Sequence, residues 1–313
     1  MSLPSSESSR PSPEDSAGRT FAVIVAYEPD LELLGSAVDA VQAQVDRLLI
    51  FDNASASPAL HRYYDSLVEG VDIQRSAENV GIAAAINVAI TKARAAGFDQ
   101  LLILDQDSVI GEGLVTILTH ALREHAGGTR VAAVGPQFYD VRTGHVAPFI
   151  TVGFPMSRKL FGGPGQVVEC DFLISSGSLL SLDAVASVGG MDESLFIDNV
   201  DLEWSFRARH RGYKLFGVCD ARMAHQIGEH VDIPVLGKQT VHSTTRLYYI
   251  MRNRVLLYRR RETPRVWIAQ DVPRVLLKFL KMSLFVSPRG AYTKAMLGGL
   301  RDGIRGRAGR IGG

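Results

Sequence analysis

Three short apolar runs, FAVIVA (21–26), RLLIF (47–51) and LLIL (101–104), limit the possible folds of this chain more than any other feature. Each run is continuous rather than alternating, so each predicts a strand buried on both faces. Helical periodicity separates them. Leu31, Leu34, Val38, Val41 and Val45 recur at spacings of three and four, which lines up one face of a helix. A second helix is predicted from about Ile82, with Ile86, Ala89, Ile90 and Ala93 in register and Gly97 as its stop. Strand–helix alternation implies βαβ units and a parallel sheet, which VAAVG (131–135) would extend. The fold class is therefore α/β: a Rossmann-like, mostly parallel sheet flanked by helices.

Charge divides the chain. Net charge is +1, yet residues 251–313 hold 15 Lys/Arg and 3 Asp/Glu, leaving 19 and 30 in residues 1–250. An acidic body with a basic tail suggests that the tail meets an anionic surface. Nucleic acid is the poorer partner, because no recognised binding motif accompanies the charge. Two cysteines, Cys170 and Cys219, form neither a disulfide framework nor a zinc pattern, which suits a reducing compartment. Residues 1–19 are rich in Ser, Pro and charge and read as a disordered leader without a secretory core. No stretch approaches the ~18 apolar residues of a membrane span. These features predict a cytoplasmic protein, peripheral on the inner face of the cell membrane. The expected organisation is a leader at 1–19, a catalytic domain at 20–240, and amphipathic basic helices at 241–313. The ending RDGIRGRAGR (301–310) reads as loose.

Open α/β sheets bind ligands beyond the carboxyl ends of their strands. Asp52 ends one predicted strand, and Asp105-Gln106-Asp107 ends another. Asp52 alone reads equally well as a turn residue. The Asp105–Asp107 pair is more telling, because adjacent carboxylates repel each other unless a cation lies between them. Such a pair offers oxygen ligands for Mg²⁺ or Mn²⁺ carrying a diphosphate. A second acidic stretch, FIDNVDLEW (196–204), opens a helix. Its carboxylates suit a helix N-terminus on their own account.

A series of blocks, in order, resembles the family 2 glycosyltransferases of the GT-A fold, and among them the bacterial rhamnosyltransferases. The blocks are IVAYEPD (24–30), LIFDNAS (49–55), NVGIAAAINVAI (79–90), LLILDQDS (101–108), FLISSGSLLSL (172–182), VGGMDESLFIDNVDLEW (188–204), GYKL (212–215) and MAHQIGE (223–229). The resemblance covers about residues 20–260. It implies that Tyr27, Glu28 and Asp52 line a nucleotide pocket, and that Asn79 and Gly81 lie near the donor. Asn87 would hydrogen-bond the sugar. Asp105 and Asp107 would hold the metal ion, with Asp105 alternatively reaching the ribose, and His225 would complete the metal site. Ser176, within SerSerGly (175–177), would shape the pocket where donor and acceptor meet.

An inverting transferase also needs a general base beside the acceptor hydroxyl. Many relatives read Glu-Asp-x-Asp at the helix start, whereas this chain reads Asp198-Asn199-Val200-Asp201. The base is therefore Asp198, or else Asp201. The implied donor is dTDP-L-rhamnose, with UDP-galactofuranose or another UDP sugar as the alternative, and the acceptor is a cell-surface or lipid-linked glycan. Two other classes compete. A sugar nucleotidyltransferase would want a Gly-rich, basic loop after the first strand, where this chain has AYEPD. A catalytically silent binding protein would have little need to retain Asp52, Asp105 and Asp107.

Overall fold

The computed structural model describes residues 18–67, 70–140, 144–224, 229–233 and 237–312. The elements follow in chain order. The first half contains β1 (Thr20–Ala26), α1 (Leu31–Gln42), β2 (Arg47–Asp52), α2 (Pro58–Ser66), β3 (Val71–Arg75), α3 (Gly81–Ala95), β4 (Gln100–Asp105), α4 (Leu114–Ala126) and β5 (Val131–Tyr139). Then come the short strands β6 (Phe149–Thr151), β7 (Arg158–Leu160), β8 (Val167–Cys170) and β9 (Leu179–Ser181), followed by α5 (Leu182–Val188). The remainder is α6 (Val200–His210), β10 (Lys214–Ala224), β11 (Glu229–Ile233), β12 (Gly237–Val241), α7 (Thr244–Tyr258), α8 (Arg265–Phe285) and α9 (Arg289–Ile304).

The main sheet runs β3-β2-β1-β4-β9-β5-β10-β8. All its pairs on the β3 side of β4 are parallel, whereas β9 is antiparallel to both β4 and β5. The apolar runs are covered on both faces, as expected of parallel strands. Phe21, Val23, Leu101 and Ile103 face a core closed by α3, α5 and α6. Their neighbours Ala22, Ile24, Leu102 and Leu104 face a second core closed by α1, α2 and α4. The VAAVG strand joins the sheet as predicted, but three residues of reversed chain, β9, separate it from β4. So short a strand has no periodicity to read.

The tail corrects one expectation. RDGIRGRAGR is not loose: α9 continues to Ile304, and the chain beyond it docks on the body. Gly309 N–H donates to Ser194 O at 2.6 Å, and Ile311 N–H donates to the Tyr249 hydroxyl at 2.8 Å. Helices α7, α8 and α9 share a small core of Leu247, Met251, Met282, Val286, Tyr292 and Met296. Leu257 and Trp267 extend into the core of the sheet domain.

Helix α7 also grips the turn that precedes α6. Phe196, Asp198 and Asn199 all have positive φ, at 65°, 62° and 63°, a region costly for side-chain-bearing residues. Asn253 is fully buried, and its amide donates to the carbonyls of Leu195, Ile197 and Asp198 at 2.7–2.9 Å. Arg252 donates to Ser194 O and Leu195 O, and the Tyr249 ring stacks on Phe196 at 5.2 Å. Replacing Asn253 with Leu would leave three carbonyls without these partners. Asn253→Leu is expected to lower stability by about 2–4 kcal/mol in chemical denaturation. An unchanged midpoint would mean that the turn holds itself.

Candidate active site

The carboxyl ends of β1, β2 and β4 meet the start of α6, and α7 closes the arrangement from above. At β2, Asp52 is 1 % exposed and accepts the Ser55 N–H at 2.9 Å, so its carboxylate organises the 52–55 turn. Asn53 accepts the Val80 N–H at 2.8 Å, tying this turn to the entrance of α3. After β1, the Glu28 carboxylate accepts the Ala56 N–H at 2.8 Å, and its own N–H donates to Ser55 Oγ. Tyr27 N–H donates to the Gln106 side chain at 2.7 Å, and the Tyr27 side chain remains half exposed at the mouth. The three residues predicted to line a nucleotide pocket thus lie in one network spanning two strand ends.

Gly81 begins α3 with φ +84°, and a Cβ there would lie 2.5 Å from Phe196 O. This close approach lets Ile82 N–H donate to the same carbonyl at 2.8 Å, joining α3 to the strained turn. Asn79 accepts the Gly81 N–H at 3.0 Å. Asn87 holds a neighbouring segment. Its amide donates to Met191 O and to the Glu193 carboxylate, and its oxygen accepts the Met191 N–H at 2.7 Å. Both amide hydrogens hold the 191–193 segment. Ser176 is 2 % exposed. Its hydroxyl accepts from Asp105 N–H at 3.2 Å and lies 2.6 Å from Ser108 Oγ, so it fastens the Asp105–Ser108 turn to the 175–178 loop. That role shapes the site from behind.

The electrostatics centre on Asp105. Burial pushes its carboxyl up to about 6, and the nearby carboxylates of Asp107 and Asp201 add to the rise. Asp201 is raised as well, chiefly by burial. It accepts Leu202 N–H at 2.8 Å and Ser175 N–H at 3.3 Å, so it links α6 to the 175–178 loop. Asp198 pairs with Arg246 at 2.8 Å. The hydrogen bond to Asp198 holds the Arg246 guanidinium even more firmly protonated, with Asp105 and Asp201 contributing. Burial and the nearby Lys278 and Arg246 push His242 down to about 4, so it is neutral at pH 7. Asn199 Nδ2 is shielded and has no hydrogen-bond partner among the described residues.

The sequence did not point to Arg246. It lies 48 positions from Asp198 in a helix that reads as a basic tail. Its only local signal is the Ser243-Thr244-Thr245-Arg246 start, where Ser243 caps the helix by accepting Arg246 N–H. His225, the predicted third metal ligand, lies outside the described residues. Among the described residues no cluster of three or more His, Cys, Asp or Glu is arranged to hold a metal ion. Asp105 and Asp107 nevertheless fit one, since Mg²⁺ is commonly held by one or two carboxylates, with substrate phosphate and water completing its shell. A half-buried carboxylate beside two others, with one guanidinium nearby, is a site short of positive charge.

Comparison with known proteins agrees with this geometry. Residues 21–174 match the family described as Glycosyl transferase family 2. The chain is 28 % identical over 295 residues to the dTDP-rhamnosyl transferase RfbF of Shigella flexneri, covering 92 % of this chain and 96 % of that protein. Among solved structures, S. aureus TarS 1-349 in complex with UDP-GlcNAc superimposes with a TM-score of 0.57 at 15 % identity, covering 92 % of this chain and 81 % of that one. GalNAc-T7 with UDP, GalNAc and Mn²⁺ gives 0.59 at 14 % identity over 93 % of this chain, which spans only 56 % of that protein. These structures share the GT-A fold seen here. Residues 21–174 thus carry a glycosyltransferase family 2 domain, and the chain is a glycosyltransferase similar over most of its length to a dTDP-rhamnosyl transferase.

Proposed function

We propose that this glycosyltransferase moves L-rhamnose from dTDP-L-rhamnose to a hydroxyl of a cell-surface or lipid-linked glycan, with inversion at the anomeric carbon. The observation that carries the reading is the excess of half-buried carboxylate around Asp105, which a metal-bound diphosphate would relieve. The donor sugar rests on likeness to RfbF, and a UDP sugar is the alternative. Tyr27, Glu28 and Asp52 take the nucleoside side, with Asn79 and Gly81 near the donor. Asp105 and Asp107 would hold Mg²⁺ or Mn²⁺, which when bound offsets charge developing on the leaving diphosphate.

Asp198 is the general base. Asp201 is the weaker candidate, because both its oxygens already accept backbone N–H groups. In the resting site Asp198 is held by Arg246. A donor diphosphate offers that guanidinium a stronger anion, and its departure leaves the Asp198 carboxylate basic. Asp198 then takes the acceptor proton as the acceptor oxygen bonds to the anomeric carbon. The bond from that carbon to the diphosphate oxygen breaks with its electron pair, so charge and atoms balance. An acceptor of this kind brings the basic C-terminal helices to an anionic membrane.

Thermal shift tests the donor site. With metal, dTDP at a hundredfold excess over its Kd is expected to stabilise the protein by ~2.7 kcal/mol, and Asp107→Asn to lose that gain. A shift with UDP alone would keep the family and change the sugar. Asp198→Asn should keep the nucleotide-induced shift and lower turnover by about 10²–10⁴-fold, measured as nucleoside diphosphate released with acceptor present. Loss of the shift instead would mean that Asp198 belongs to the donor site.

Asp105 gives a pH test. Its carboxyl is raised from 3.8 to about 6 in the folded protein. The stability this group contributes is therefore complete below pH ~4 and is lost as pH rises through about 6. Asp105→Asn should match the wild type at pH ~4 and exceed it by roughly 2 kcal/mol at pH ~8. The nucleotide-induced shift of the wild type should grow over the same rise, because the ligand needs the ionised carboxylate. A variant less stable than wild type at pH ~8 would contradict the assignment.

A further inference from the structure

Helix α8 is amphipathic in an unusual sense: its inner side is fully used and its outer side is apolar. Inward, Trp267 and Met282 enter the two cores. Asp271 accepts from Arg254 and from the Tyr258 hydroxyl of α7. Outward, Leu276, Leu280 and Leu284 follow one another at four-residue spacing, with Leu277 and Val272 beside them, and are 45–58 %, 67 % and 47 % exposed respectively. At ~1.5 Å per residue the stretch from Val272 to Leu284 is about 18 Å long. A contiguous apolar ridge of that length marks an interaction surface.

A second apolar element is fastened to the ridge. The loop after β6 carries Phe154, 86 % exposed, and Met156, 75 % exposed. Gln270 of α8 donates to Gly153 O and Pro155 O, and accepts from Ser157 Oγ at 2.6 Å. Loop tip and ridge therefore form one face. The charge around that face has a single sign. Residues 265–301 contain seven Lys/Arg and one acid, the buried Asp271. Arg265, Arg274, Arg289 and Lys294 are exposed.

We propose that the α8 ridge and the 153–157 loop are a docking face for a bilayer carrying anionic lipid. The leucines and Phe154 would enter the boundary between headgroups and acyl chains, and the flanking cations would meet lipid phosphates. Charge selects this occupant over a second copy of the chain, since a two-fold pairing of this face would bring its cations against themselves. The inner edge of the same helix borders the catalytic turn: Lys278 lies within electrostatic reach of Asp198 and Arg246. The docked enzyme would hold that turn beside the membrane, where a lipid-linked acceptor would present its sugar. The inference deepens the acceptor reading and rests on it.

The test is co-sedimentation of the full chain with phosphatidylcholine vesicles, with and without phosphatidylglycerol. The expected result is binding that requires phosphatidylglycerol and weakens severalfold with added salt. Leu277→Glu combined with Leu280→Glu should reduce binding by more than about tenfold, with unchanged melting and an unchanged nucleotide-induced shift. Phe154→Ser should give a smaller loss. Failure of the wild type to bind vesicles would overturn the proposal, as would equal binding by the double variant. A wild-type dimer in light scattering that the double variant converts to monomer would assign the face to a second copy. The nucleotide shift, measured on the same samples, reports separately on the donor site.

Discussion

The acidic turn of the candidate site depends on the grip of α7 on residues 194–199. Three side-chain-bearing residues in left-handed conformations do not persist on local preference; each costs of order 1–3 kcal/mol and needs its surroundings to over-determine it. Asn253 supplies three hydrogen bonds to that turn, Arg252 adds two, and Tyr249 stacks on Phe196. The turn in turn receives Ile82 N–H from the start of α3 and opens α6 at Val200. The helices after residue 243 therefore hold the acidic turn in place as well as covering it. The orientation of Asp198 is a tertiary property, with its supports about 55 positions away in the chain.

A second constraint runs against stability. Asp105, Asp107 and Asp201 place negative charge in a partly dry strand-end cleft, and Arg246, paired with Asp198, also feels Asp105 and Asp201. Burial of a carboxyl, with like charges beside it, costs free energy, as the raised carboxyl of Asp105 records. On the proposed function, a metal–diphosphate would offset this cost on binding. The hydroxyls of Ser176 and Ser108 contribute indirectly, by fixing the Asp105–Ser108 turn from below.

What the sequence disclosed follows from the range of the forces involved. Strands β1, β2 and β4 and helices α1 and α3 were legible because burial on two faces, or on one stripe, writes a local pattern. Strand β9 was not, since three residues carry no period and its place between β4 and β5 is fixed by distant pairing. Asp105 and Asp107 stood out because both oxygens-rich side chains follow a strand directly. Arg246 stayed hidden because its meaning comes from Asp198 across a fold that only tertiary packing creates. An amide on the α3 helix likewise discloses nothing of the 191–193 segment that Asn87 holds. The tail was misjudged because glycine and arginine suggest a loose chain, whereas Gly299 and Gly303 admit close packing against α7: a Cβ at either would lie under 3.0 Å from α7 atoms.

The amide at position 199 makes physical sense in this setting. The relatives' pattern would place another carboxylate between Asp198 and Asp201. Asn199 sits in the left-handed region at φ 63°, where Asn is among the better tolerated side chains. It also keeps the local charge one unit less negative. Arg246 already answers Asp198 and feels Asp105 and Asp201. A further carboxylate would compete for the same guanidinium and weaken its pairing with Asp198. The amide preserves polarity at the start of α6 while leaving Arg246 with one close partner. On this argument the departure from the family pattern and the Arg246–Asp198 pair are two parts of one electrostatic arrangement.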